Sequence, residues 1–338
     1  MSVLKHIEID HFELDSGRVI NLRLSYQHFG KSLNDAPVVL VNHALTGNSQ
    51  VSGTNGWWNS LIGNDKTIDT NHYAVLAFNV PGNGFGGVLD SCTEHYKAFK
   101  AKDIARLFLE GLRRLQIESL FAIIGGSVGG GIAWHMAFLN PKIAQHLIPI
   151  ASDWKATDWL VANCYVQERI LENSLDPIAD ARSHAMMLYR TPESLSQKFN
   201  RTRAKEATYN VESWLNHHGE KLSNRFQLSA YKIMNQVLKT INVANDNETF
   251  LDAAKEITST IHIVTINSDL FFKPEENWKT YVDLKPLKDN LSIYEIKSIH
   301  GHDAFLIEYQ QLTTFLKPIF EIKEEKHEDY KYSFVRNR

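Results

Sequence analysis

Cysteine is nearly absent from this sequence. Cys92 and Cys164 are the only two in 338 residues, too few for a disulfide scaffold, and reduced thiols in a cytoplasmic protein are the expectation. A surplus of one charge is also missing. Thirty-six Lys and Arg stand against 39 Asp and Glu, a net charge of -3, which gives no reason to expect nucleic acid or acidic membranes as partners. No uninterrupted apolar run approaches the roughly 20 residues of a membrane span. The opening "MSVLKHIEIDHFELDSG" lacks the apolar stretch of a signal peptide. There is no credible metal cluster, and no Gly-Lys-Ser/Thr of a Walker phosphate loop. What is present is ordinary globular composition, 43% hydrophobic and 22% charged, in a chain long enough to bury a full core without staples.

The hydrophobic pattern changes along the chain. Residues 5–28 alternate around "DSG", as in an antiparallel hairpin. Short continuous apolar runs follow at 37–43, 73–80, 120–126 and 146–152, with helical patterns at 102–116 and after 130. Buried strands alternating with helices predict a mostly parallel α/β sheet. From 154 to 257 nearly every segment reads helical, with no convincing strand. Strand signals return at 260–267 and 291–298, before a last helix. The expected organisation is a core in two parts, 1–153 and 258–322, interrupted by a helical lid insertion at 154–257. A charged tail at 323–338 follows it.

The informative stretch is "AIIGGSVGGGIAW", 122–134. Glycine inside a helix costs about 1 kcal/mol relative to alanine, so five glycines around one serine need a reason. Gly125-Gly126-Ser127-Val128-Gly129 has the spacing G-x-S-x-G, between a buried strand and a helix. In that context it reads as a nucleophile elbow, a strained turn that lifts a serine hydroxyl above the sheet. A second cluster, "VPGNGFGG", places Gly82, Gly84 and Gly87 in G-x-G-x-x-G spacing. A dinucleotide fingerprint requires a helix to start at once, and the residues that follow have no convincing helical period.

A nucleophilic serine needs an acid and a base later in the chain, in the order Ser, Asp/Glu, His for this architecture. Asp269 follows the strand at 260–267, and His302 follows the strand at 291–298. Asp153 is an alternative acid and His300 an alternative base. Two backbone N–H groups are needed for a tetrahedral oxyanion: Val128, after the nucleophile, and a residue of "HALTG", with Leu45 the best candidate. His43 reads as structural. The pair His217-His218, in a polar helix, reads as solvent-exposed.

Several segments in order, "HALTG" (43–47), "GWWNSLIG" (56–63), "IDTNHYAVLAFNV" (68–80), "GGSVGG" (125–130) and "GHDAFL" (301–306), resemble the homoserine O-acetyltransferase family. The resemblance runs over most of 20–190 and again over 260–316. It implies an α/β-hydrolase fold with an inserted helical lid, and Ser127, Asp269 and His302 as the triad. It further implies that Arg182 and Tyr189 bind an amino-acid substrate, with Asp303 receiving its ammonium group. An arginine suits a carboxylate because it grips bidentately. Seven residues on a helix put Arg182 and Tyr189 on one face. The sequence departs from the family in the loop "PGNGFGG" and at Val128, both near the acyl site.

The implied reaction is ping-pong transfer of an acetyl group from acetyl-CoA to L-homoserine in methionine biosynthesis, through an acyl-serine. Acetyl-CoA would be a co-substrate, with no permanently bound cofactor, and a homodimer is expected. L-Serine as acceptor, succinyl-CoA as donor, an esterase, thioesterase or peptidase with the same triad, and a non-catalytic binding protein are the alternatives.

Overall fold

The computed structural model describes residues 2–87, 95–205, 207–244 and 249–321. Cys92 and the expected tail at 323–338 lie outside the described residues. Eight strands form one sheet: β1 Lys5–Glu13, β2 Val19–Gly30, β3 Val38–Asn42, β4 Ala74–Phe78, β5 Leu120–Gly126, β6 Ala144–Ile150, β7 Thr260–Ile266 and β8 Leu291–Ile296. Their order is β1-β2-β4-β3-β5-β6-β7-β8. β1 pairs antiparallel with β2, and β2 antiparallel with β4. All later pairs are parallel.

The continuous apolar strands are buried on both faces. Every residue of β3 and β4 is buried, and alternate residues feed two cores. Leu40, Leu76, Ile123 and Leu147 join one core, on the side of α1 (Ala101–Arg114) and α2 (Val128–Leu139). Val39, Val41, Val75 and Ile124 join the other, with Trp58, Phe305 and α10 (Tyr309–Phe320). This is the double covering that a parallel sheet requires.

Six helices lie between β6 and β7: α3 Asp158–Asn173, α4 Pro177–Tyr189, α5 Pro192–Phe199, α6 Asn210–Ser223, α7 Leu228–Lys239 and α8 Phe250–Ala254. Contrary to the helical reading of this stretch, Arg203–Lys205 pairs antiparallel with Thr208–Tyr209. The pairing is too short to show a hydrophobic alternation. The segment returns to the core through Phe250, stacked on Trp154 at 4.2 Å and edge-on to Trp134 of α2 at 5.8 Å. An additional helix, α9 (Pro274–Leu284), links β7 to β8. No helix among the described residues is long and apolar enough to cross a membrane.

Candidate active site

β5 ends at Gly126, and α2 begins at Val128, so Ser127 alone makes the turn. Its φ of 58° and ψ of -129° are strained for a residue with a Cβ. The strain is held by close packing. A Cβ on Gly125 would lie 2.4 Å from the carbonyl of Gly129, and one on Gly129 would lie 2.4 Å from the carbonyl oxygen of Asn42. Both glycines of the motif are therefore places where backbone meets backbone. The missing side chain of Gly131 leaves room for Ile241, beyond α7.

Asp269 follows β7, and His302 lies in a short 3-10 turn, Gly301–Leu306, after β8. The Nε2 of His302 is 2.9 Å from Ser127 Oγ, and its Nδ1 is 2.7 Å from Asp269 Oδ2. An ionised carboxylate only accepts, so Nδ1–H donates to it and the Nε2 lone pair faces the serine hydroxyl. Asp269 Oδ1 accepts from the N–H groups of Phe271 and Phe272, at 2.7 and 2.9 Å. Phe271, Phe272, Phe305 and Tyr189 surround the imidazole at ring distances of 5.1 to 5.8 Å. Ser127, Asp269 and His302 are all nearly inaccessible to solvent.

The two alternatives sit elsewhere. His300 Nδ1 is occupied by Arg190 and Ser194. Asp153 is bonded through Oδ1 to the N–H of Trp154 and the hydroxyl of Thr280. Burial pushes its carboxyl up to about 7, with those two bonds opposing the shift.

Leu45 lies in the loop after β3, and Val128 directly follows Ser127 as the first residue of α2. Among the described residues, neither N–H donates to a protein acceptor. The loop that carries Leu45 is braced by His43, whose Nδ1–H donates to the Ala44 carbonyl at 2.8 Å. Its Nε2 accepts from Val80 N–H at 3.0 Å. Burial lowers this imidazole to about 4, in keeping with an accepting Nε2. Arg225, which the sequence reading did not single out, donates to the Thr46 carbonyl at 3.1 Å. It lies 179 positions from its partner in the chain, and no local pattern announces such a contact. In the loop after β4, Gly82 and Gly84 take positive φ, and the turn runs into a 3-10 segment at Phe85–Gly87.

Arg182 and Tyr189 do share one face of α4: the guanidinium lies 5.4 Å from the tyrosine ring centre. Tyr189 is buried, which pushes its phenol up to about 12 and keeps it a hydrogen-bond donor. Asp303 is half-buried. Burial raises its carboxyl, while Arg182, His302 and Arg190 oppose the rise. His218 is not solvent-exposed as expected. It packs against Trp214 at 4.4 Å, and burial lowers it to about 4, with Arg182 adding to the shift. His217 is exposed.

A strained serine between strand and helix, followed by an acid after β7 and a histidine after β8, is the arrangement of an α/β-hydrolase-fold enzyme. The family model described as alpha/beta hydrolase fold matches residues 37–307. Over 94% of this chain, the sequence is 28% identical to a homoserine O-acetyltransferase of Sulfurimonas autotrophica, covering 99% of that protein. It is 30% identical to one from Methanococcus vannielii, covering 89% of this chain and 69% of the relative. The crystal structure of homoserine O-acetyltransferase from Bacillus anthracis superposes with a TM-score of 0.84 at 19% identity, covering 96% of this chain and 98% of that one. The chain belongs to the homoserine O-acetyltransferase family, and is an enzyme of the acyltransferase type.

Proposed function

We propose that the protein moves an acetyl group from acetyl-CoA to the hydroxyl of L-homoserine, as a step of methionine biosynthesis. The observation that carries this reading is the hydrogen-bonded line from Ser127 through His302 to Asp269, standing beside Arg182 and Tyr189 of α4. Kinship with proteins named homoserine O-acetyltransferase supports an acetyl group as the cargo and homoserine as the acceptor.

In the first half-reaction, His302 Nε2 takes the serine proton as Oγ attacks the thioester carbonyl. The oxyanion is received by the N–H groups of Leu45 and Val128. Collapse breaks the carbon–sulfur bond, the imidazolium returns its proton to sulfur, and coenzyme A leaves an acetyl-serine. Asp269 holds the histidine tautomer and stabilises the imidazolium. Homoserine then binds with its carboxylate on Arg182 and its ammonium group on Asp303. His302 deprotonates its hydroxyl, which attacks the acetyl-serine and restores Ser127. Transfer outruns hydrolysis when the bound alcohol is held better than water, and effective molarity supplies that advantage.

The test follows free thiol from acetyl-CoA with and without L-homoserine. Thiol release that depends on homoserine, with O-acetylhomoserine as product, is the expected result. Release from succinyl-CoA alone, or with L-serine alone, would reassign donor or acceptor. Release indifferent to any amino acid would overturn the transferase reading.

A further inference from the structure

Arg190 follows the last residue of α4, is 9% exposed, and has no carboxylate within ion-pair distance among the described residues. A buried guanidinium with no contact ion pair is costly, so its neutral partners are informative. Its Nη2 donates to Ser194 Oγ at 2.6 Å and to His300 Nδ1 at 2.9 Å. The same two acceptors are 3.1 Å apart. A guanidinium can only donate, so His300 Nδ1 must present its lone pair here. One residue on, Thr191 Oγ1 donates to the Ile299 carbonyl at 2.5 Å. Gly301 completes the contact, with φ of +66° and a position where a Cβ would lie 2.9 Å from the Tyr189 carbonyl oxygen. The end of α4 and residues 299–301 thus interlock through side chains and backbone, immediately before His302.

We propose that Arg190 is a positioning residue: by gripping His300 it sets the loop that holds His302 between Ser127 and Asp269. The same grip joins that loop to α4, the helix that carries Arg182 and Tyr189. The inference rests on the proposed role of His302 as the base. Ser194 keeps the guanidinium in place, and the ring of Trp214, 5.9 Å away, closes its other side.

Acylation by p-nitrophenyl acetate isolates the effect, because it uses Ser127 and His302 but no amino-acid acceptor. In the full-length protein, Arg190→Gln and His300→Phe should each slow the saturating burst by about tenfold or more, since a shift of about 1 Å in a reacting group costs up to about a hundredfold. The ester KM should stay within about twofold. The double variant should be no slower than the slower single variant. His300→Gln, whose amide oxygen can accept from Arg190, should stay within about threefold of the parent rate. Bursts at the parent rate in Arg190→Gln and His300→Phe, or slowdowns that multiply in the double variant, would overturn the proposal. Thermal unfolding checks that each variant is folded, and His300→Phe decides the matter if Arg190→Gln is not. A burst lost in Ser127→Ala but intact in His300→Phe overturns this inference alone. A burst that survives in Ser127→Ala overturns the underlying reading as well.

Discussion

Replacing Asp269 by asparagine removes one charge and leaves the shape. Its effect follows from the two oxygens having different duties. Oδ1 accepts from two backbone N–H groups, at 2.7 and 2.9 Å, while Oδ2 faces His302 Nδ1 at 2.7 Å. The asparagine amide must turn its oxygen toward Phe271 and Phe272, because the opposite orientation sets donor against donors. Each unmade buried hydrogen bond costs about 1–3 kcal/mol, so the favoured orientation wins by about 2 kcal/mol or more. The amide NH₂ then donates to His302 Nδ1, which has to accept. The imidazole proton moves to Nε2, and the Ser127 hydroxyl loses its acceptor. The same tautomer reversal in serine proteases lowers kcat by about 10⁴, about 5 kcal/mol of barrier. Stopped-flow thiol release at saturating acetyl-CoA should show a loss of that order, with KM within about twofold and an unchanged fold by circular dichroism. Asp153→Asn, at the unused alternative acid, should keep the parent rate. An Asp269→Asn enzyme within tenfold of the parent, or an Asp153→Asn enzyme that is dead, would refute the assignment.

Other outcomes follow from the same geometry. Arg182→Ala should raise the homoserine KM at least tenfold and leave the acetyl-CoA burst unchanged, because a lost charge-assisted hydrogen bond is worth about 1.5–3 kcal/mol; steady-state and burst kinetics on one preparation test this. Gly129→Ala places a Cβ 2.4 Å from the Asn42 carbonyl oxygen, so denaturant unfolding should show a loss of about 1–3 kcal/mol or more from overpacking, with a slower burst because β3 leads into the Leu45 loop. His43 and His135 are buried and lowered to about 4 and about 3. The unfolded chain binds these protons below about 6.5 and the folded chain does not, so stability present above pH 6.5 should fall as the pH drops toward 4, by about 3–5 kcal/mol per histidine when complete. His43→Gln should flatten that slope in pH-dependent urea titrations. Asp153 has the opposite sign. Folded, it keeps its proton up to about 7, while the unfolded chain releases it near 4, so its cost grows between pH 4 and 7. Asp153→Asn should therefore gain stability at pH 8 relative to pH 4, on the order of 4 kcal/mol.

The parts legible in the sequence were those where one physical demand acts on neighbouring residues. β3 and β4 are buried throughout, so their apolar runs could hardly be anything but central strands. The elbow was legible because the close contacts of Gly125 and Gly129 involve only local backbone and the adjoining strand end. α9 escaped notice because its buried face includes the polar Asn277 and Thr280, held by bonds to Ser152 and Asp153, which erases the hydrophobic period. His300 and His302 could not be separated by spacing, since both occupy one loop. What separates them is Arg190, 110 positions away. The contact of Arg225 with Thr46 was hidden for the same reason. The half-burial of His218 depends on how α6 sits against its neighbours, which a polar helix sequence does not reveal.

The central claim is that the acyl group travels through Ser127. Rapid quenching of the enzyme after mixing with acetyl-CoA, followed by peptide mass spectrometry, tests it directly. One acetyl group should appear on the peptide carrying Ser127, disappear when L-homoserine is added before the quench, and be absent in Ser127→Ala. Turnover with no adduct at Ser127, or an adduct that homoserine does not discharge, would contradict the account.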